Sequence, residues 1–415
     1  MSPWRFLGGL ATRGGRTAST GTVRAARTPR RAGAKAVAAL AGIGALLALL
    51  AACGSSSPSG PVDTPDNPYN LDFTAFDSAM NAGLAANHLA GATVVVVHRD
   101  SGMVYLRGYG AFQKDRLFLL ASASKILSVG VIMRLADQHV LDLDAPVGNY
   151  VGSRWGTEKA SLTLAQMLSN SSGLVGLTTN PFYLPYICQY RPVGTLAACA
   201  QTIYQADDVA DVIPPDTRFR YGGAQWQLAG GIAEAASGKS WAELIHETYV
   251  EPCGTTSLGY TNEFNTGAPR RYPSSFGGNP ANLNQTENPS IEGGGYITAE
   301  DYGKILLMHL RGGVCGETRV LSDSAVARMQ EDRIGEVYGG STGNTVLQGY
   351  GLGWWIDRSH PGVVADIGLY GAAPWLDVQR GYGAMILIEG TGPIGASLWL
   401  QTKPILDGII DAAHL

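Results

Sequence analysis

The chain has 415 residues, 45% of them apolar and 15% charged, with a formal charge of −4. That composition supplies a sizeable core and excludes both a disordered chain and a phosphate-binding surface, which needs clustered Lys and Arg. The net charge hides an asymmetry: residues 1–52 hold eight of the 30 basic residues and no acidic one, leaving 22 basic against 34 acidic in the remainder, a net of −12.

The basic segment runs from Arg5 to Lys35 and is followed by 17 uncharged residues, Ala36 to Ala52, and then Cys53. This order reads as an export signal. The run falls short of the roughly 20 apolar residues of a spanning helix and carries Gly42 and Gly44, so it is not expected to anchor the protein permanently. Leu50-Ala51-Ala52-Cys53-Gly54 resembles the bacterial lipobox, in which a signal peptidase cuts before a diacylated cysteine. Residues 1–52 are therefore read as a signal peptide. Residues 53–69, rich in Ser, Pro and Gly, are read as a lipid-anchored flexible linker, and 70–415 as one folded domain. The expected location is the extracytoplasmic face of a bacterial membrane, with the bilayer a partner through acylated Cys53. An ordinary secretory signal cut near Ala52 would release the protein instead.

Leu71 to His88 has helical periodicity. Ala92 to His98 is a β-branched run, followed by the turn Asp100-Ser101-Gly102 and by Met103 to Arg107, which together predict a hairpin. Ser122 to about Ile245 reads mostly helical, including Gln225 to Ser237 ending at Gly238. Val363 to Asp366 and Ala384 to Ile388 are strand-like, and a last helix is predicted from about Ser397 to Ala413. Strands at both ends of a helical middle imply one sheet built from distant segments with the helical region inserted. The four cysteines beyond Cys53 are Cys188, Cys199, Cys253 and Cys315, an even number in an exported chain, so two disulfides are expected among three connectivities. The short loop Cys188 to Cys199 is the first pairing to consider, which leaves Cys253 for Cys315.

Ser122-Ala123-Ser124-Lys125 carries the chemistry. A helix starting near Ser122 places Ser122 and Lys125 on one face. Lysine activates a serine only when neutral, a state favoured by apolar burial and by the positive end of a helix dipole. The same helix start offers the Ser122 N–H as an oxyanion donor. Tyr221, in Phe219-Arg220-Tyr221-Gly222-Gly223, sits at a predicted helix start, where a hydroxyl near two cations relays a proton. Other patterns carry less. Gly339-Gly340-Ser341-Thr342-Gly343 fits the Gly-x-Ser-x-Gly elbow without the strand and helix that motif needs, and Gly238-Lys239-Ser240 lacks the first glycine of a phosphate loop. The seven histidines show no ligand spacing, so neither metal nor cofactor is implied. Tyr350, Trp354, Trp355 and Trp375 are read as core aromatics before pocket lining.

Taken together these stretches resemble the serine β-lactamase and penicillin-binding superfamily, in the branch of class C β-lactamases, DD-peptidases and family VIII esterases. Ser122 to Lys125 matches the first motif. Tyr221-Gly222-Gly223 stands where that branch has Tyr-x-Asn, and Asp366-Ile367-Gly368 where it has Lys-Thr-Gly or a variant. Leu141 to Val147, Leu168 to Leu174, Gly293 to Asp301 and Tyr350 to Trp354 look like the family's flanking phrases. The resemblance implies an α+β fold of β-lactamase/transpeptidase type, an antiparallel sheet flanked by helices with an inserted mainly helical region. It makes Ser122 the acylated nucleophile, Lys125 its activator and Tyr221 the proton relay, with the oxyanion between the backbone N–H groups of Ser122 and Leu369. Gly223, Asp366 and Gly368 would border the substrate. Gly223 replaces an asparagine and Asp366 a cation or aromatic, so the acylation set is intact while the recognition shell is altered. The expectation is a serine hydrolase for a small-molecule or peptide-like ester or amide, and a poor β-lactamase. A sensor that acylates without turnover is the alternative.

Overall fold

The computed structural model describes residues 64–177, 183–263, 271–413 and 415; the proposed signal peptide, Cys53 and most of the linker lie outside the described residues. Seven antiparallel strands form the main sheet: β1 (Gly91–His98), β2 (Gly102–Gly110), β3 (Gly349–Tyr350), β4 (Trp355–Ile356), β5 (Val363–Ala365), β6 (Ala373–Asp377) and β7 (Tyr382–Ile388). Their order is β2-β1-β7-β6-β5-β4-β3. The predicted hairpin forms, with Gly102 at positive φ closing it, and β7 pairs along the other side of β1 from Ala92↔Ile388 to His98↔Tyr382.

All eight residues of β1 are buried because both of its faces are covered. Side chains alternate across a strand. Val94 and Val96 pack with Phe76, Leu398 and Trp399, from α1 (Thr74–Ala86) and the C-terminal helix Gly392–Ala413. Val95 and Val97 join the opposite core with Ile305 and Leu306 of the helix Ala299–Leu310. That second core continues into α2 (Ser124–Asp137) and the inserted helical layer, which includes Leu196–Tyr204 and α3 (Ala224–Ser237). Among the described residues no strand lies between Leu119 and Gly259. A small sheet of Leu117–Leu119, Gly295–Thr298 and Gly259–Tyr260 joins the two halves beside the start of α2.

Three details depart from the sequence reading. The α-helix begins at Ser124, and Ser122 lies in the preceding 3₁₀ turn Ala121–Ala123. β6 was not foreseen, because it is buried at every position and holds Pro374, so neither alternation nor composition marks it. Pairing also reaches ahead of Asn70, since Asp66 exchanges both backbone hydrogen bonds with Leu106 at 2.9 and 3.0 Å on the sheet edge. Both disulfides form as Cys188–Cys199 and Cys253–Cys315.

Candidate active site

Three segments distant in sequence meet at Ser122. Ala121 takes φ +48°, a left-handed conformation costing an L-residue about 1–2 kcal/mol, and such strain persists only where the surroundings impose it. Here they do. The Leu120 N–H donates to Gly295 O (2.9 Å), the Gly295 N–H to Ser124 Oγ (2.9 Å), and the hydroxyls of Tyr302 and Tyr260 donate to the carbonyls of Ala123 (3.0 Å) and Ser124 (3.1 Å). Ser124 is thus a fully buried fastening hydroxyl, whereas Ser122 is half-buried. Gly368 faces this turn at very close range, for a Cβ there would lie 2.1 Å from Leu120 O. Neither the Ser122 nor the Leu369 N–H has a protein acceptor among the described residues, while the intervening Gly368 N–H donates to Ala372 O at 2.8 Å.

Lys125, one turn on from Ser122, is completely buried. Its Nζ donates to the backbone oxygen of Glu292 at 3.1 Å, lies 3.5 Å from the Glu292 carboxylate, and sits 4.6 Å from the centre of the Tyr221 ring. The burial expected for this lysine is present, with the Tyr221 and Trp226 rings beside the ammonium, but a carboxylate, Glu292, lies next to it as well.

Tyr221 closes the group from the loop before α3. Its oxygen is buried without a hydrogen-bond partner within 3.5 Å. Burial first, then the neighbouring acidic groups of Asp366, Tyr350 and Glu292, push its phenol well above the usual tyrosine value, and the adjacent Ser122 hydroxyl acts in the opposite sense. The sequence reading placed two cations near this oxygen. Among the described residues the structure brings one, Lys125, over the ring, so Tyr221 is a neutral phenol free to donate and to accept.

Asp366 follows β5 and is fully buried. It accepts from Trp355 Nε1 at 3.1 Å and makes no pair with Arg380, whose guanidinium bonds Asp377 and Asp411. Burial raises its carboxyl to about 7, against the pull of Lys125, the Trp355 bond and the Ile367 N–H; Glu292 adds to the rise. Asp366 is therefore enclosed by protein, and the direct contact with substrate expected for the third motif is not what this burial provides. Two of the aromatics read as core belong here. Tyr350 and Trp355 lie 6.5 and 5.3 Å from Tyr221, ring centre to ring centre, while Trp354 and Trp375 are core.

Two residues escaped the sequence reading. Glu292 is one. Asn170, inside the phrase Leu168 to Leu174, is the other: its Oδ1 accepts from Gln225 Nε2 (2.7 Å), the Gly222 N–H (3.3 Å) and Trp226 Nε1 (3.3 Å), and its own carbonyl accepts from the Arg220 N–H (2.8 Å). It holds the Tyr221 loop. Asn170→Ala strands two buried donors, the Gly222 N–H and Trp226 Nε1, while Gln225 Nε2 keeps Arg220 O and Gly222 O, and it leaves alanine at φ +54°, so a loss of about 2–4 kcal/mol is expected in urea unfolding. A loss below about 1 kcal/mol would show that the loop is held elsewhere.

The competing motifs dissolve. Ser341 follows a helix, Arg333–Tyr338, and lies exposed in irregular chain with its hydroxyl on Gln348 O at 3.3 Å. Gly238 ends α3, Lys239 pairs with Glu247 and Ser240 caps the next helix.

A family model described as Beta-lactamase matches residues 76–402. Penicillin-binding protein 4 of Amycolatopsis lactamdurans is 26% identical over 346 residues, covering 79% of this chain and 87% of that protein. Esterase/beta-lactamase LipL of Mycobacterium tuberculosis is 28% identical over 181 residues, covering 42% of this chain and 38% of its own length. The octameric penicillin-binding protein homologue from Pyrococcus abyssi shares the fold at 20% identity, with a TM-score of 0.63 over 81% of this chain and 78% of that one. The match across more than three quarters of the sequence and the shared architecture agree: this chain belongs to the Beta-lactamase family of serine hydrolases.

Proposed function

We propose that the protein is an exported, lipid-anchored serine hydrolase that cleaves an ester or amide through an acyl-enzyme on Ser122. The convergence of Ser122, Lys125 and Tyr221 carries the reading: a strained turn presents the hydroxyl, a buried ammonium lies one helical turn away, and a phenol without a partner lies against both. In acylation the Ser122 O–H bond breaks as Oγ bonds to the acyl carbon, and the bond to the leaving group breaks as that group takes up the proton. Tyr221 accepts the Ser122 proton as it donates its own to the leaving group, beside the Lys125 ammonium that stabilises the oxygen losing its proton, while the free N–H groups of Ser122 and Leu369 receive the oxyanion. Water then releases the acid by the same route in reverse. Gly368 keeps the Leu369 N–H close to the serine turn, because any side chain there would strike Leu120 O.

The substrate follows from charge. Lys125, the cation of this cluster, is already paired with Glu292, and Asp366 stands where the family places a cation. A carboxylate-bearing substrate finds no uncompensated partner. Penicillins, cephalosporins and D-Ala-D-Ala peptides are therefore expected to turn over poorly, and neutral esters or substrates with a cationic acyl group better. Comparing kcat/KM across short-chain esters, a cephalosporin and a D-Ala-D-Ala peptide tests this, and efficient cephalosporin hydrolysis would overturn it. A second reading, a sensor that acylates and stops, draws on the raised Tyr221 phenol, which slows a relay in deacylation. Product release beyond one equivalent separates the two.

Anchoring rests on Leu50 to Cys53. Cys53→Ala is expected to move the protein from the membrane to the soluble fraction and to abolish its labelling by a fatty-acid analogue. A wild type that takes up no label would end this part of the reading.

A further inference from the structure

The glycine at 223 and the glutamate at 292 occupy one space. A Cβ on Gly223 would lie 2.2 Å from Glu292 Oε1 and 2.4 Å from its carboxyl carbon, closer than any real contact. Glu292 stands there only because residue 223 has no side chain. From that place it grips the ammonium of Lys125 twice, by its backbone oxygen at 3.1 Å and its carboxylate at 3.5 Å.

The segment bearing Glu292 is fixed at several points. Ser128 Oγ donates to Ile291 O at 2.6 Å, the Ile291 N–H to Gln227 Oε1 at 3.1 Å, and the Gly294 N–H to Ser290 O at 2.7 Å. The Ser128 and Gln227 bonds, with the Gly295 bond to Ser124, tie it to α2 and α3, the two helices that carry Lys125 and adjoin Tyr221. An ammonium on a four-carbon stem has considerable rotamer freedom, and a buried one is held only where acceptors are fixed. Gln189 Oε1, buried and unpartnered, reaches into the same space and completes a polar wall.

We infer that Glu292 is the positioning residue of the catalytic lysine, holding Lys125 Nζ between Ser122 and Tyr221 from the room that Gly223 leaves. The inference rests on the acyl-enzyme reading above. Glu292 takes no proton in the reaction; Tyr221 takes the serine proton as it gives its own to the leaving group, and Glu292 fixes the ammonium beside which that exchange happens. The departure at 223 is thereby part of the catalytic arrangement.

The test is a double-mutant cycle on the full exported domain, read as the rate of Ser122 acylation by a fluorophosphonate and as kcat and KM on p-nitrophenyl butyrate. Glu292→Gln, which keeps shape and backbone oxygen, is expected to acylate about tenfold or more slowly, with KM within about threefold and an unchanged unfolding temperature. Glu292→Ala should behave alike. Gly223→Ala should fall comparably because its methyl displaces the carboxylate, and adding it to Glu292→Ala should cost nothing further, since the remaining neighbour, Gln189, ends a flexible side chain. Wild-type rates in Glu292→Gln, or effects of the two sites that multiply, would overturn the assignment while Ser122 stays labelled. A wild type not labelled at Ser122 would instead overturn the acyl-enzyme reading, and this inference with it.

Discussion

Ser122→Ala is expected to abolish covalent labelling by a fluorophosphonate and to remove ester hydrolysis to background. No neighbouring hydroxyl can take over: Ser124 is fully buried and accepts from the Gly295 N–H, and Ser341 lies in an unrelated exposed segment. Lys125→Ala leaves the nucleophile in place and removes its activator, so acylation should slow by about 10²–10⁴, the usual range for loss of a positioned acid–base group. Part of that loss arises because Glu292 is then left partly buried without its ammonium. The measurement is intact mass against time for the three proteins, with Ser341→Ala as a control that labels at the wild-type rate. Labelling retained in Ser122→Ala, or lost in Ser341→Ala, would refute the assignment of the nucleophile.

Asp366→Asn is expected to stabilise the protein at alkaline pH and to leave it nearly unchanged near pH 4. The carboxyl sits at about 7 in the folded protein against 3.8 for a free side chain, so between those values the folded state holds the extra proton. Stability then falls as pH rises, with the loss complete once pH has passed through about 7. At about 1.4 kcal/mol per pH unit, the cost above that point is on the order of 4 kcal/mol. The charges facing Asp366 are already contained in this balance: Lys125 lowers the carboxyl and Glu292 raises it, with the neutral phenols of Tyr221, Tyr302 and Tyr350 alongside. Asparagine keeps an oxygen for the Trp355 indole and carries no charge to bury. Urea unfolding of both proteins from pH 4 to 8.5 reads the difference, which isolates residue 366 from groups such as Asp216 and Asp377, whose carboxyls are lowered and act with opposite sign. A variant less stable than wild type at pH 8.5 would mean that Asp366 is ionised and bound to Lys125 as a net stabilising pair.

The features legible in the residues alone are local or pairwise in register. The β1–β2 hairpin needs only a β-branched run and a tight turn. Ser122 and Lys125 are neighbours because three residues span about one helical turn, whether the first of them is α or 3₁₀. An even set of cysteines beyond Cys53 pointed to two bridges, and both form. The phrase holding Asn170 and the one that begins just after Glu292 were legible as family phrases and silent about the tasks of these two residues. Those tasks depend on chain far away. Asn170 acts by accepting hydrogen bonds from residues some fifty positions on, and Glu292 reaches a lysine 167 positions earlier only through the space above Gly223. The tertiary structure also decided the role of Asp366. As a residue type it could have met the substrate, paired with Arg380 or been buried; packing beneath Trp355 chose burial, and burial set its charge. A sequence records which groups are available, whereas the energy of a charge depends on the solvent and partners it retains, and those exist only once distant segments have closed around it.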